Sequence, residues 1–456
     1  MLYYLLISTT QKLSYDFFEG VIIIIKKYTE SFSFRPEKYY RIRIMKIGII
    51  GGGLTGLVAA SRLGKEHEVH IFEKLPYLGG CLSSYKINNY WIERYYHHFF
   101  SGDSSLFGLI DEMGLSDKIE WKTGTSGYLA NNKIHPLNTP LQILRYPELS
   151  IVDKVKLAYL TLTAKKTDLK ALDNITAEQY IIKNLGKNVY SSFFEPLLKS
   201  KFGEQKKDVS AAWLISRIAI RSDRGVSGER LGYLNGGFHL LVDSLEQSIT
   251  ANGGKINKHT PVSSMVSLNG GWEVNSTRYD TIISTIPPQL LESIGGPSTP
   301  PIPYQGAACM TLAMDREVTK GIYWLNMKDA APYGAIVTHT NFIPAQRYGE
   351  NIVYLASYFS GTVPAHLDSQ MINDFCTRFS VSPSEIKWHH MAVDPWAGPI
   401  YRTGFRSLIP AYENKGLFMA GMFSQTNYPE RSMEGSIRAG SEVAECIKSR
   451  SNDGRT

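Results

Sequence analysis

Cysteine is scarce in this chain of 456 residues: Cys81, Cys309, Cys376 and Cys446 stand far apart. No C-x-x-C and no metal-ligand spacing joins them, so neither a disulfide framework nor a zinc ribbon is expected, and a reducing cytoplasm is the default setting. Long apolar runs are missing as well. Val21–Ile25 is five residues long and ends at Lys26-Lys27, against the ~18 that a membrane span needs. Met1–Ser8 is apolar, but no basic stretch precedes it and no small-residue cleavage site follows, so no secretory signal is expected. With 43 % hydrophobic and 20 % charged residues, the composition excludes a disordered chain and suits two or three structural units.

The net charge of +7 is unevenly spread. Residues 1–44 carry +3 and residues 141–230 carry +6, leaving the remainder slightly acidic. Residues 1–44 show no usable period, and Met45-Lys46 then opens a clean strand. The segment reads either as a membrane-surface anchor or as an upstream extension outside the fold. The expectation here is the extension.

Ile47-Gly48-Ile49-Ile50 suits a buried parallel strand. It runs into Gly51-Gly52-Gly53-Leu54-Thr55-Gly56, a helix through Leu63 with Gly64 as its stop, a second strand Val69–Phe72, and then Glu73. Strand, G-x-G-x-x-G, helix, strand and acid follow one another within one βαβ unit. Gly51 permits the tight turn, Gly53 lets a pyrophosphate approach, and Gly56 lets the helix pack on the strand. The helix start offers free amides to phosphate. Glu73 is placed to accept from ribose hydroxyls and argues against a 2′-phosphate.

Beyond the acid comes Lys74-Leu75-Pro76-Tyr77-Leu78-Gly79-Gly80-Cys81. Here the chain resembles the flavin amine oxidase superfamily, which includes protoporphyrinogen oxidases and phytoene desaturases. In that family a Gly-Gly pair lies against the FAD pyrophosphate, usually followed by Arg, where this chain has Cys81. The resemblance returns at Leu234–Leu241, at His259-Thr260-Pro261-Val262, at Tyr279–Pro288, at Gly416–Gly421 and at Arg431–Gly440. It implies a backbone contact of Val262 with adenine, passage of the chain near Thr285 beside the flavin, and a last helix aimed at the flavin's pyrimidine edge. Cofactor contacts are thus expected at Gly51, Gly52, Gly53, Leu54, Thr55, Gly56, Glu73, Lys74, Gly79, Gly80, Cys81, Val262, Thr285, Gly421, Ser432, Met433 and Ile437. Met422 stands where the family often has an acid. No cysteine occupies the stretch where covalent members attach their flavin, so non-covalent FAD is implied.

The expected fold class is α/β: a discontinuous Rossmann-type FAD-binding domain (45–94, 229–299, 401–450) with an inserted substrate domain. That insertion comprises a helical cap at 95–228 and an antiparallel sheet at 300–400. Helices are expected at Leu106–Met113, Ile151–Lys165, Ala177–Leu185 and Val209–Arg221, and a strand at Ile352–Phe359. Lys154, Lys156, Lys165, Lys166, Lys199, Lys201, Lys206 and Lys207 lie among apolar residues in the cap. They read as solvated helix faces or as a surface for anionic lipid or a phosphate-bearing substrate. Nucleic acid is not expected, since no dense basic block or binding module appears.

Tyr95-Tyr96-His97-His98-Phe99-Phe100 is dense in titratable and aromatic groups. His97 and His98 are the catalytic candidates, weighed against packed, hydrogen-bonded core histidines. No general base is identified by the sequence. The resemblance implies an oxidoreductase that passes a hydride from a small molecule (amine, porphyrinogen or isoprenoid class) to flavin N5. The 12 % aromatic content and the basic cap favour a lipophilic one, and the cysteine usage a cytoplasmic setting, at most peripheral to the inner membrane face. Two alternatives stand beside it. One is a non-redox enzyme resembling UDP-galactopyranose mutase. The other is a prenyl-binding protein resembling the GDP-dissociation inhibitors, against which the complete glycine loop and Glu73 argue.

Overall fold

Ile47, Ile49 and Ile50 are buried in strand β1 (Lys46–Ile50), the middle of a six-stranded sheet. The structure, a computed structural model, describes residues 44–220 and 229–452, all within the unit Ile44–Asp453. The proposed extension, apart from Ile44, and the cap's end at 221–228 lie outside the described residues. On one side of β1 lie β2 (Glu68–Phe72) and β9 (Lys255–Asn257); on the other lie β13 (Thr281–Ser284), β20 (Leu417–Met419) and β19 (Glu413–Asn414). All pairings are parallel except β19 with β20. The chain runs outward from β1 through β2 to β9 and later returns to β13 on the opposite side. A crevice therefore opens at the carboxyl ends of β1 and β13, the switch point where such sheets bind ligands.

Helix α1 (Leu54–Leu63) links β1 to β2. It ends at Leu63 as expected, but Gly64 stays right-handed (φ −62°) and donates to Ala60 O, so no left-handed cap stops the helix. The last helix, α10 (Met433–Asn452), packs so tightly on α1 that a Cβ on Gly440 would fall 2.6 Å from Thr55 O.

The second sheet has seven strands in the order β18 (Ile386–Pro399), β14 (Tyr304–Met314), β17 (Asn351–Phe359), β16 (Ala335–Thr338), β15 (Trp324–Met327), β6 (Ser126–Ala130) and β7 (Lys133–Pro136). The 95–228 segment is thus not only a helical cap: it supplies two strands to this sheet. Asn131 and Asn132, at φ 53° and 55°, close the β6–β7 hairpin. A third strand, β5 (Ile119–Gly124), pairs with β8 (Glu229–Leu234). The hairpin β3 (Ser84–Ile87)–β4 (Tyr90–Glu93) and the meander β10 (Met265–Leu268), β11 (Gly271–Val274), β12 (Thr277–Tyr279) complete the strands.

The expected cap helices appear as α2 (Ser104–Glu112), α4 (Ile151–Thr163), α5 (Ala177–Asn184) and α7 (Ala211–Ile220), joined by α3 (Pro140–Arg145) and α6 (Glu195–Phe202). Thr139, Ser150 and Thr176 open α3, α4 and α5 with reciprocal capping boxes. Helix α8 (His239–Ala251) packs beside α1, and α9 (Leu367–Phe379) covers one face of the seven-stranded sheet. In β14, Met310, Leu312 and Met314 join the cluster under α9, while Cys309 and Ala313 join the core of the six-stranded sheet. Both faces are therefore buried, and the alternation of the strand decides which neighbour each residue meets.

Candidate functional site

The glycine loop sits at the switch point. Gly51 (φ 108°) donates to Phe72 O, and a Cβ on it would lie 2.4 Å from Thr285 Oγ1, so β1, β2 and the end of β13 converge there. Gly56 is required by the chain itself, since its Cβ would fall 2.1 Å from Gly51 O. Gly53 differs. Its φ of −75° suits any residue, and no protein atom lies within 4 Å of where its Cβ would be. The glycine leaves room for something other than the chain. No side chain caps α1, so the amides of Leu54, Thr55 and Gly56 lack intrahelical acceptors and point at that space. Gly79 and Gly80, both at positive φ, form its opposite wall: Gly79 N–H donates to Gly52 O, and a Cβ on Gly80 would lie 3.3 Å from Gly53 Cα. The cradle fits a pyrophosphate.

The Glu73 carboxylate is buried and accepts from the amides of Gly52 (2.7 Å) and Leu75 (2.8 Å). A carboxylate has about four acceptor positions, so capacity remains for a ribose hydroxyl. The segment before Val262 runs beside it, with Thr260 N–H donating to Glu73 O and His259 N–H to Leu75 O. Val262 is half-buried near the end of β2, and Lys74 is exposed.

Sequence reading missed Asn427, which organises the C-terminal stretch. Fully buried, it donates from Nδ2 to Gly421 O (3.1 Å) and accepts at Oδ1 from Ser432 N–H (3.0 Å). Gly421 N–H meanwhile donates to Ser424 Oγ (2.9 Å). Both backbone groups of Gly421 are therefore engaged within the chain. Ile437 is a correction: it is buried in the core, because it lies on the inward face of α10. Ser432 Oγ accepts from Gly435 N–H (2.9 Å), capping α10 and leaving the amides of Met433 and Glu434 without intrahelical acceptors. The Glu434 carboxylate accepts from Ser105 and Leu106 amides and so fixes α10 to the start of α2.

Between this crevice and the seven-stranded sheet lies an interior chamber. Cys81, Tyr95, Tyr96, His97, Tyr304 and Arg431 are each enclosed by protein, yet keep part of their surface open. That combination marks side chains lining an internal space. Tyr96 and Tyr358 hydroxyls meet at 3.2 Å, and Cys81 Sγ donates to Asp394 Oδ2 at 3.9 Å. Burial, with Asp394 adding, pushes the Cys81 thiol up to about 12, so it stays protonated. The Arg431 guanidinium lies over Gly398 in β18, where a Cβ would stand 2.4 Å from its Cζ. Glu430, next in sequence, is drawn away by Arg217 (3.0 Å) and Lys201 (3.8 Å). A cleft of ≈ 430 Å³ lined by Gln289, Ile302, Tyr304, Trp396 and Arg402 adjoins the chamber at Tyr304.

The paired histidines part company. His97 Nδ1 bonds Tyr95 O (2.7 Å), and burial lowers its pKa to about 4, so it is neutral. His98 Nδ1 instead meets Tyr323 Oη (3.0 Å) among Phe100 and Trp324. His97 thus meets the chamber through Tyr95, and His98 packs on Trp324, which in turn meets Tyr96. Arg94, also unforeseen, lies between the rings of Tyr77 and Tyr85 (3.8 and 4.0 Å to their centroids) and braces the loop carrying Gly79 and Gly80.

The coproporphyrinogen III oxidase of Mycobacterium tuberculosis is 23 % identical over 280 residues, 54 % of this chain and 60 % of that protein. The chain thus spans less than two thirds of that relative's length. Two solved structures share the fold. One, from Exiguobacterium sp. 255-15 and bearing a provisional protoporphyrinogen oxidase name, has TM-score 0.72 and 17 % identity over 90 % of this chain and 100 % of its own. The other, a reduced UDP-galactopyranose mutase, has TM-score 0.69 and 16 % identity over 90 % and 99 %. The family model for flavin containing amine oxidoreductases matches residues 54–448. The cradle beside Gly53 accords with the flavin that this family binds, and the chain belongs to the flavin-containing amine oxidoreductases.

Proposed function

We propose that this protein is an FAD-dependent oxidoreductase that dehydrogenates a small lipophilic molecule. The observation that carries the reading is the space beside Gly53, which no neighbouring segment fills, at the switch point of the six-stranded sheet. Bound flavin supplies a hydride acceptor at N5. The chain's own residues would do the rest. The free amides of α1 and the Gly79-Gly80 turn hold the phosphates, and Glu73 takes a ribose hydroxyl. Val262 lies on the adenine side, which favours FAD over a mononucleotide. No thiol was expected where covalent members attach flavin, so binding is non-covalent.

The chamber then positions the substrate and excludes water. Tyr95, Tyr96, Tyr304 and Tyr358 present aromatic walls suited to a lipophilic body. Arg431 sets a fixed positive charge among them. The Asp394 carboxylate beside Cys81 sets a negative charge against it, so the aromatic walls rather than a net charge carry the preference for a lipophilic donor. His97, neutral and held by Tyr95 O, offers Nε2 as a proton acceptor at the chamber's edge.

The test is anaerobic bleaching of the purified protein's flavin by a panel of amines, porphyrinogens, polyprenoids and nucleotide sugars. Stoichiometric bleaching by one lipophilic class supports the proposal. Colourless protein that takes up no added FAD would sink it, and turnover of a nucleotide sugar without net electron transfer would replace it with mutase chemistry.

A further inference from the structure

The cap's basic helices proved less cationic at the surface than their sequence suggests. Lys154 is buried with Nζ donating to Leu144 O (2.7 Å), Lys156 Nζ donates to Leu185 O (3.1 Å), and Lys201 and Lys206 lie against Glu430 and Glu195. What stands out on that surface is apolar. Helix α4 buries Leu157 and Leu160 on its inward side, yet Ile151, Val152, Val155, Tyr159 and Leu162 on the other side are 63–78 % exposed. These fall at helical spacing along one stripe. Leu141 and Leu144 of α3, 52–55 % exposed, continue it, because the Lys154–Leu144 bond joins the two helices. A helix that is apolar on both sides and packed on only one has a face without a partner.

From this placement we infer that the α3–α4 face docks on a lipid bilayer carrying anionic headgroups. Its rim carries the exposed cations Arg145, Lys166 and Lys170. Of the acidic groups nearby, Glu148 is paired with Lys328; Asp153, bonded by Ser150 and Asn188, and Asp168, bonded by the Lys170 amide, keep their charge but are outnumbered by Arg145, Lys156, Lys165, Lys166 and Lys170. Apolar stripe and cationic rim together match an acyl boundary under anionic headgroups. At 13 residues α4 is ~20 Å long and lies in the interface plane. Among the described residues no helix is long and apolar enough to cross a membrane. A second copy of the chain is the poorer occupant, since a two-fold contact would set this cation-rich rim against itself.

The test is flotation of the full-chain protein with phosphatidylcholine vesicles, alone and with about a quarter phosphatidylglycerol. Wild type is expected to float with the anionic vesicles. The exposed substitutions Val155→Asp and Leu162→Asp are expected to abolish flotation with unchanged melting temperature. Arg145→Gln and Lys166→Gln are expected to weaken partition roughly fivefold each, the equivalent of ~1 kcal/mol per charge, and less at high salt. Wild type that stays behind with both vesicle types, or Asp variants that float as well, would overturn the inference. So would a wild-type dimer that the Asp variants dissociate without any flotation, which would make the stripe a self-interface. None of these readouts depends on flavin content.

Discussion

Thr55 Oγ1 donates to the carbonyl of Ser436 at 3.1 Å, joining the first helix of the glycine loop to the last helix of the chain across 381 positions. This bond, with Gly440 seated against Thr55 and Val58, holds the two helix N-termini that border the crevice in one fixed relation. The site is therefore a property of the assembled sheet and its two helices, and substitutions can separate its structural parts from its ligand-binding parts.

Gly53 and Gly56 form the sharpest such pair. Gly53→Ala meets no protein atom within 4 Å and needs no unusual backbone angle, so the melting temperature is expected to hold while flavin uptake falls at least tenfold. Gly56→Ala drives a methyl to within 2.1 Å of Gly51 O, and destabilisation by ~1–3 kcal/mol is expected. Thermal melts beside flavin-fluorescence titrations check both, and normal flavin uptake by Gly53→Ala would refute the cradle.

Glu73→Ala is expected to weaken FAD binding by ~1.5–3 kcal/mol, the range for a hydrogen bond to a charged group. It also frees the buried amide of Gly52, so some loss of stability accompanies it. Glu73→Gln keeps one acceptor and should fall between the two. Equal affinities for all three proteins would remove Glu73 from the ribose site.

Asn427→Ala leaves Ser432 N–H without its acceptor, while Gly421 O keeps the Ser424 amide, and a loss of ~1–3 kcal/mol is expected. Asn427→Asp keeps the acceptor toward Ser432 but sets a carboxylate against Gly421 O. Urea unfolding should rank both below wild type, and a wild-type midpoint for either would contradict the role given to Asn427.

His339 is buried, bonds Tyr348 Oη through Nε2 (2.7 Å), and is lowered to about 3 by burial, with Arg347 adding. It is neutral when folded, whereas the unfolded chain charges it below about 6.5. Its contribution is thus whole above pH 6.5 and drains away as pH falls toward 3, by roughly 4–5 kcal/mol over that window. His339→Gln should retain a bond to Tyr348 and flatten the acid limb of stability against pH. An unchanged limb would show that another group governs it.

Local sequence carried the crevice well. Residues 47–73 alone specify a strand, a glycine turn, a helix, a strand and an acid, because each depends on neighbours a few positions away: short apolar runs for buried parallel strands, 3.6-residue spacing for helices, and glycine wherever φ turns positive. The capping boxes at Thr139, Ser150 and Thr176 are equally local, but the helices they open were read from apolar spacing alone. What escaped was non-local. The β6–β7 hairpin read as cap because strand identity depends on the β15 edge it pairs with. Ile437 looked available until α10 turned it inward, and Asn427 has no signature beyond being a polar residue in a loop.

Chain chemistry by itself therefore determined that residues 46–73 form a strand, glycine loop, helix and strand ending in an acid, and that later stretches resemble those of flavin amine oxidases. Tertiary structure alone decided that Arg431 stands enclosed among tyrosines beside Gly398, that His97 bonds Tyr95 O while His98 meets Tyr323, and that α4 shows an apolar face outward. The reason is physical: a residue's charge state, exposure and partners follow from what packs against it, and those neighbours arrive from segments tens to hundreds of positions away.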